Sequence, residues 1–114
     1  MDAFGVERRD KALYINFKGE ITLEITTDIK KRIDATLKEP GFEAVVIDLS
    51  QITFIDSSGI GFLVALNTRV MGQGKKLYLF RPSAQVVKTL ELVQLANFFQ
   101  TVKTDEELAA ALPA

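Results

Sequence analysis

Cysteine, histidine and tryptophan are absent from this 114-residue sequence, and proline occurs only three times. Without cysteine there is no disulfide framework. Without either cysteine or histidine there is no zinc site of the usual type, no Cys/His nucleophile and no Ser-His-Asp triad. Most hydrolase chemistry is thereby excluded, and no cofactor or metal is expected. Long apolar runs are missing too. The longest uncharged stretches, Ser57 to Thr68 and Leu92 to Val102, fall well short of the roughly 20 apolar residues of a spanning helix, so no membrane insertion is expected. Nor is there an excess of one charge: 14 Lys+Arg against 15 Asp+Glu leave a net charge of −1. The cations are scattered among acids and form no basic stripe, so direct nucleic-acid binding is not expected. The start, Met1-Asp2-Ala3-Phe4, carries acid where a signal peptide carries a basic segment, which implies a cytosolic protein. What remains, 47% hydrophobic and 25% charged residues, is ordinary globular composition for one domain over residues 1–114.

Phe4 to Arg8 and Ala12 to Lys18 read as a hairpin about Arg9-Asp10-Lys11. Leu13, Ile15 and Phe17 alternate with Tyr14, Asn16 and Lys18, the period of a strand with one face inward. Gly19-Glu20 is expected to end it. From Thr26 or Thr27 the spacing changes, with Ile29, Ile33 and Leu37 four residues apart up to Pro40-Gly41, which predicts an amphipathic helix. Lys30, Lys31, Arg32 and Lys38 would form its solvated face. Ala44 to Leu49 is a β-branched run suited to a central strand buried on both faces. Ser50 to Ile55 reads as a turn.

Asp56-Ser57-Ser58-Gly59 opens a second helix with a stripe of Ile60, Leu63, Val64, Leu66 and Val70, stopped at Gly72-Gln73-Gly74. Lys76 to Phe80 is a strand. Pro82-Ser83 starts a third helix, with Val86, Val87, Leu90 and Val93 assigned inward. Phe98 to Val102 is a last strand, and Thr104-Asp105-Glu106-Glu107 is a capping box for a final helix through Leu112. Helices alternating with strands require crossover connections, so the expected fold is α/β: a mixed, largely parallel sheet with about four helices.

In such folds function gathers where strands end and helix N-termini point outward, which is where Asp56-Ser57-Ser58-Gly59 falls. Two readings stand here. The free N–H groups of a first helical turn favour an anion, so a phosphate on a serine would find donors and a favourable dipole. Alternatively, Asp56 or Ser57 simply caps the helix. Likewise Gly59 and Gly61 either lower the surface for an approaching molecule or relieve crowding. Phe54 and Ile55 offer an apolar patch, although a Phe in a turn over a core is expected to be buried. Of Phe98 and Phe99, one ring is expected inward. Lys75, Lys76 and Arg81 decorate a solvated edge. No Walker loop or dinucleotide fingerprint is present, and no spacing supports catalysis by Asp56 and Ser57 with Lys75 or Lys76.

The segment Ile47-Asp48-Leu49-Ser50-Gln51-Ile52-Thr53-Phe54-Ile55-Asp56-Ser57-Ser58-Gly59-Ile60-Gly61 resembles the signature of STAS-domain anti-sigma factor antagonists. The resemblance extends over nearly the whole chain, through Gly19-Glu20-Ile21, Gly72-Gln73-Gly74-Lys75-Lys76-Leu77 and Pro82-Ser83 through Leu95. It implies a non-enzymatic, cytoplasmic partner-switching protein that binds an anti-sigma factor and so frees a sigma factor. The implied partners are an anti-sigma factor serine kinase of the histidine-kinase-like ATPase fold and a metal-dependent serine phosphatase. Ser57 is the implied phosphorylation site. Asp56 would help orient its hydroxyl, and Ser58, Gly59 and Ile60 would form the helix start that the partner touches.

One position departs from the family. Its early segment continues Gly-Glu-hydrophobic-Asp, whereas Ile21 here is followed by Thr22, with Glu24 the nearest acid. Either Glu24 substitutes in partner contact, or a different partner is recognised, or Thr22 only shapes a loop by local hydrogen bonding. A second function compatible with the fold is a STAS regulatory subunit of a membrane transport complex of the ABC lipid-transport kind, with no phosphorylation cycle.

Overall fold

The computed structural model describes residues 3–112; Met1 and Asp2, on which the signal-peptide reading partly rests, lie outside them. Strand β1 (Ala3–Arg9) and β2 (Ala12–Ile21) form the expected antiparallel hairpin, with Asp10 at φ 54° in the turn. There follow α1 (Leu23–Leu37), β3 (Ala44–Ile55), α2 (Ser57–Gly72), β4 (Lys76–Phe80), α3 (Ala84–Leu92), β5 (Gln100–Val102) and α4 (Asp105–Ala111). The sheet order is β1-β2-β3-β4-β5, and every pair after the hairpin is parallel. The α/β architecture and the central place of β3 are those the sequence implies.

Helices α1, α2 and α3 cover one face of the sheet. There Leu13, Ile15, Val45, Ile47, Leu77 and Leu79 meet Ile33 and Leu37 of α1, Leu63 and Val70 of α2, and Val86 and Leu90 of α3. The other face carries a smaller cluster, Val46, Tyr78, Phe80 and Val102 under Leu108 of α4. Its remaining half presents Glu7, Arg9, Asn16, Lys18 and Ser50, all exposed. A polar surface requires no covering layer, which is why one short helix suffices on that side. On the edge strand β1, the Arg9 guanidinium donates to Glu7 Oε2 and lies over the Tyr14 ring; the Glu7 hydrogen bond raises the already high Arg9 pKa.

The largest departure from the sequence reading is at Ser50 to Ile55. These residues form no turn but the second half of β3, and β2 does not end at Gly19-Glu20 but runs beside it to Ile21. The register passes from Asn16↔Asp48 to Lys18↔Gln51 and from Gly19↔Ile52 to Glu20↔Phe54, so β3 twice carries an extra residue relative to β2. Such bulges spoil alternation. The buried positions become Leu49, Ile52 and Ile55, three apart, a spacing that does not read as strand. Gly19 takes φ 100° at the second bulge, a conformation that costs glycine little.

Other boundaries also moved. Helix α1 begins at Leu23, not at Thr26 or Thr27: extended Thr22 is its N-cap, and the Thr26 N–H donates to the Thr22 carbonyl at 3.1 Å. Val87 on α3 and Val93 at its C-cap are outward, 38% and 48% exposed, because of the helix only Val86 and Leu90 face the sheet. Phe98 and Phe99 precede β5 rather than belonging to it; Phe99 is buried and Phe98 exposed, with the rings edge to face. Lys75 is half-buried, its ammonium 3.6 Å from the centre of the Phe42 ring, whereas Lys76 and Arg81 are exposed as expected and Arg81 pairs with Asp105. The Thr104 hydroxyl accepts from the Glu107 N–H, but Glu107 reaches back to the N–H of Lys103 instead of completing the box on Thr104.

Candidate functional site at the start of helix α2

The central strand delivers Asp56 and Ser57 to the sheet edge where β2 and β3 end together. Asp56 is the N-cap of α2: its Oδ1 accepts the Gly59 N–H at 2.8 Å, and its carbonyl accepts the Ile60 N–H at 3.0 Å. The capping reading therefore holds for Asp56, and it leaves Ser57 uncommitted to that role. Ser57 is the first helical residue and is exposed. The N–H groups of Ser57 and Ser58 belong to the first turn, which has no intrahelical acceptors. An anion here meets the positive end of the helix dipole.

The Asp56 N–H donates to the Ile21 carbonyl at 3.3 Å, tying the helix start to the end of β2. Gly59 is buried against the same point. A β-carbon there would lie 2.6 Å from the Ile21 carbonyl oxygen and 2.6 Å from Ile55 Cγ1. Gly61, two residues on, is exposed, and a β-carbon would meet nothing within 4 Å. The two glycines thus divide the two readings, Gly59 relieving crowding and Gly61 leaving the surface low. Ile60 points inward and is buried.

At the start of α1, the N-cap Thr22 is half-buried and its side chain makes no capping hydrogen bond, and Glu24 is exposed in the first helical turn. Leu23 and Ser58 line one groove, which brings the first turns of α1 and α2 together. Phe54 departs from expectation. The second bulge takes it out of the core face, leaving it 45% exposed beside the site, while Ile55 is 2% exposed.

Gln85 was not legible in the sequence. Strand β4 pairs with β3 only as far as Asp48, and beyond it α3 supplies what a strand would. The Ser83 N–H donates to the Leu49 carbonyl at 3.2 Å, and the Ile55 N–H donates to Gln85 Oε1 at 3.1 Å. Thr89 holds the amide in place, accepting from Gln85 Nε2 at 3.1 Å and donating to the Gln85 carbonyl at 2.9 Å. Gln85→Met leaves the Ile55 N–H buried without an acceptor, a cost of about 1–3 kcal/mol. Gln85→Glu keeps an acceptor oxygen. Urea unfolding is expected to show the larger loss for Gln85→Met, with faster exchange of the Ile55 amide.

Among the described residues no helix is long and apolar enough to cross a membrane. The chain resembles several solved structures. An anti-sigma factor antagonist from Mycobacterium paratuberculosis superposes with a TM-score of 0.85 at 22% identity, over 98% of this chain and 94% of that one. The anti-sigma factor antagonist SpoIIAA in its unphosphorylated form gives 0.77 at 21% identity, over 94% and 93%. The Bacillus cell fate determinant SpoIIAA in its phosphorylated form gives 0.72 at 20% identity, over 95% and 97%. These likenesses speak to the fold. The model of the STAS domain family matches residues 3–111, and a match of that extent, on a sheet and helices of this order, makes the chain a member of the STAS domain family.

Proposed function

We propose that the protein is a cytoplasmic, non-enzymatic anti-sigma factor antagonist, switched by phosphorylation of Ser57. The observation that carries this reading is the exposure of Ser57 at the first position of α2, while neighbouring Asp56 is occupied in capping. A serine so placed is open to a kinase, and its modification changes surface charge without removing a bond that holds the fold. The partner is an anti-sigma factor that is also a serine kinase of the histidine-kinase-like ATPase fold, and a metal-dependent serine phosphatase resets the switch. Both the unphosphorylated and the phosphorylated form of SpoIIAA superpose on this chain, which supports a switch that leaves the fold in place.

The contact surface in this reading comprises Asp56, Ser57, Ser58, Gly59 and Ile60 with Thr22 and Glu24. Gly59 and Ile60 are buried, so they act by shaping the helix start, and the exposed Ser57 and Glu24 supply direct contact. Affinity capture from lysate of the native organism, comparing wild type with Ser57→Asp and identifying proteins by mass spectrometry, tests it. The expected result is a histidine-kinase-like serine kinase on wild type and its depletion on Ser57→Asp. Recovery of transporter subunits, equally on both baits, would overturn it.

A further inference from the structure

Helices α1 and α2 run side by side from the same edge of the sheet and leave a groove of about 460 Å³ between them. That is within the range of about 300–1,000 Å³ for small-molecule sites. Ile33 and Leu66, both buried, lie at its base, with Phe62 beside them. Gly61 and Ala65 leave it open on the α2 side, since neither carries a long side chain. From Ser58 to Arg69 the groove follows α2 for roughly 16 Å at about 1.5 Å per residue.

The charges are unequal in what they can do. At one end the Arg69 guanidinium is paired with the Asp34 carboxylate, which neutralises both and bars the groove. Lys30, the remaining charged residue of the lining, is exposed and has no ion-pair partner among the described residues. Thr26 stands one helical turn before it, but its hydroxyl already donates to the Leu23 carbonyl at 3.1 Å, so the ammonium of Lys30 is what the lining offers an anion.

We infer that this groove binds a small amphiphile with one carboxylate and an unbranched apolar tail, the carboxylate on Lys30 and the tail over Ile33, Phe62 and Leu66. One free cation matches one negative charge; a polyanion such as a nucleoside triphosphate would find Arg69 already taken. An amphipathic helix is about 10–12 Å across and needs a trough open at both ends, which the Asp34–Arg69 pair denies it. A bound ligand would lie against Ser58, next to Ser57, and so cover part of the surface at the start of α2.

Octanoate is the probe, titrated into the full chain and followed by calorimetry and amide chemical shifts, with octanol and acetate as matched controls. Saturable binding is expected, with the largest shifts at Thr26, Lys30, Gly61 and Ala65. Octanol, which lacks the charge, should bind about tenfold more weakly, and Lys30→Glu should weaken octanoate by about the same factor. Acetate should not bind measurably. Gly61→Leu fills the groove and should abolish binding, and Ala65→Leu gives the same test if the first variant melts early. Shifts that fail to saturate or that map elsewhere would overturn the inference, as would equal affinity for octanol and octanoate or full affinity in Lys30→Glu. Because no partner protein and no modification of Ser57 enters the measurement, its outcome is independent of the anti-sigma reading.

Discussion

Gly59→Val is expected to destabilise the fold by about 3 kcal/mol or more, while Gly61→Ala, two residues on in the same helix, is expected to stabilise it by about 0.5–1 kcal/mol. The opposite signs come from what each β-carbon meets. At Gly59 it would stand 2.6 Å from a backbone oxygen of β2 and 2.6 Å from a buried Ile55 carbon. Neither neighbour can retreat cheaply. The Ile21 carbonyl also accepts the Asp56 N–H, and Ile55 is held at its own N–H by Gln85. Overpacking of a filled core typically costs about 1–3 kcal/mol, and the two further methyl groups of valine add to it. At Gly61 there is no neighbour to displace, so the lower backbone entropy of alanine in the unfolded chain acts alone. Thermal unfolding of the two variants would show it, at about 4 °C per kcal/mol for a chain of this size. Equal melting temperatures would mean that α2 does not seat on the ends of β2 and β3 as described.

Ser57→Asp is expected to lower affinity for the proposed anti-sigma partner at least about tenfold, a loss that requires only about 1.4 kcal/mol, while Ser57→Ala is expected to bind nearly as wild type. Phosphorylation adds about −1.5 to −2 charge at neutral pH, and the aspartate reproduces part of that. On the free protein the charge is not costly. It sits at the exposed first position of α2, where the helix dipole favours an anion by about 0.3–1 kcal/mol, against repulsion from the neighbouring Asp56 carboxylate. In a complex the same charge loses water, and burial of an unpaired charge costs several kcal/mol. A switch of the proposed kind would therefore act on the interface and spare the fold. Calorimetry with the purified partner measures the affinities, and amide spectra of free wild type and Ser57→Asp should differ only around the start of α2. Undiminished binding by Ser57→Asp, or spectral changes spread through the sheet, would count against a surface-charge switch.

Much of the fold was legible because local rules carry it. The four-residue spacing of Ile29, Ile33 and Leu37 places α1, and the β-branched run from Ala44 places the central strand. Asp56, Ser83 and Thr104 cap their helices through their own side chains, as expected of short polar residues ahead of apolar stripes. Each of these depends on neighbours within one or two turns of the chain. The donor-rich start of α2, with Ser57 at its first position, was visible for the same reason.

What the tertiary structure alone decided involves partners far apart in sequence. Ser50 to Ile55 is a strand because β2 pairs with it across two bulges, and no periodicity within the segment could announce that. Phe54 is exposed because the second bulge shifts its phase, and α1 starts early because β2 feeds directly into it. The bond from the Ile55 N–H to Gln85 spans 30 positions. Gly59 reads like any glycine in a helix start until the end of β2 is brought against it. Local chemistry sets which elements form, since caps and periodicity act through adjacent residues. Which residues are crowded, exposed or held at the start of α2 is set by the pairing of β2 with β3 and by the packing of α3 beyond β4.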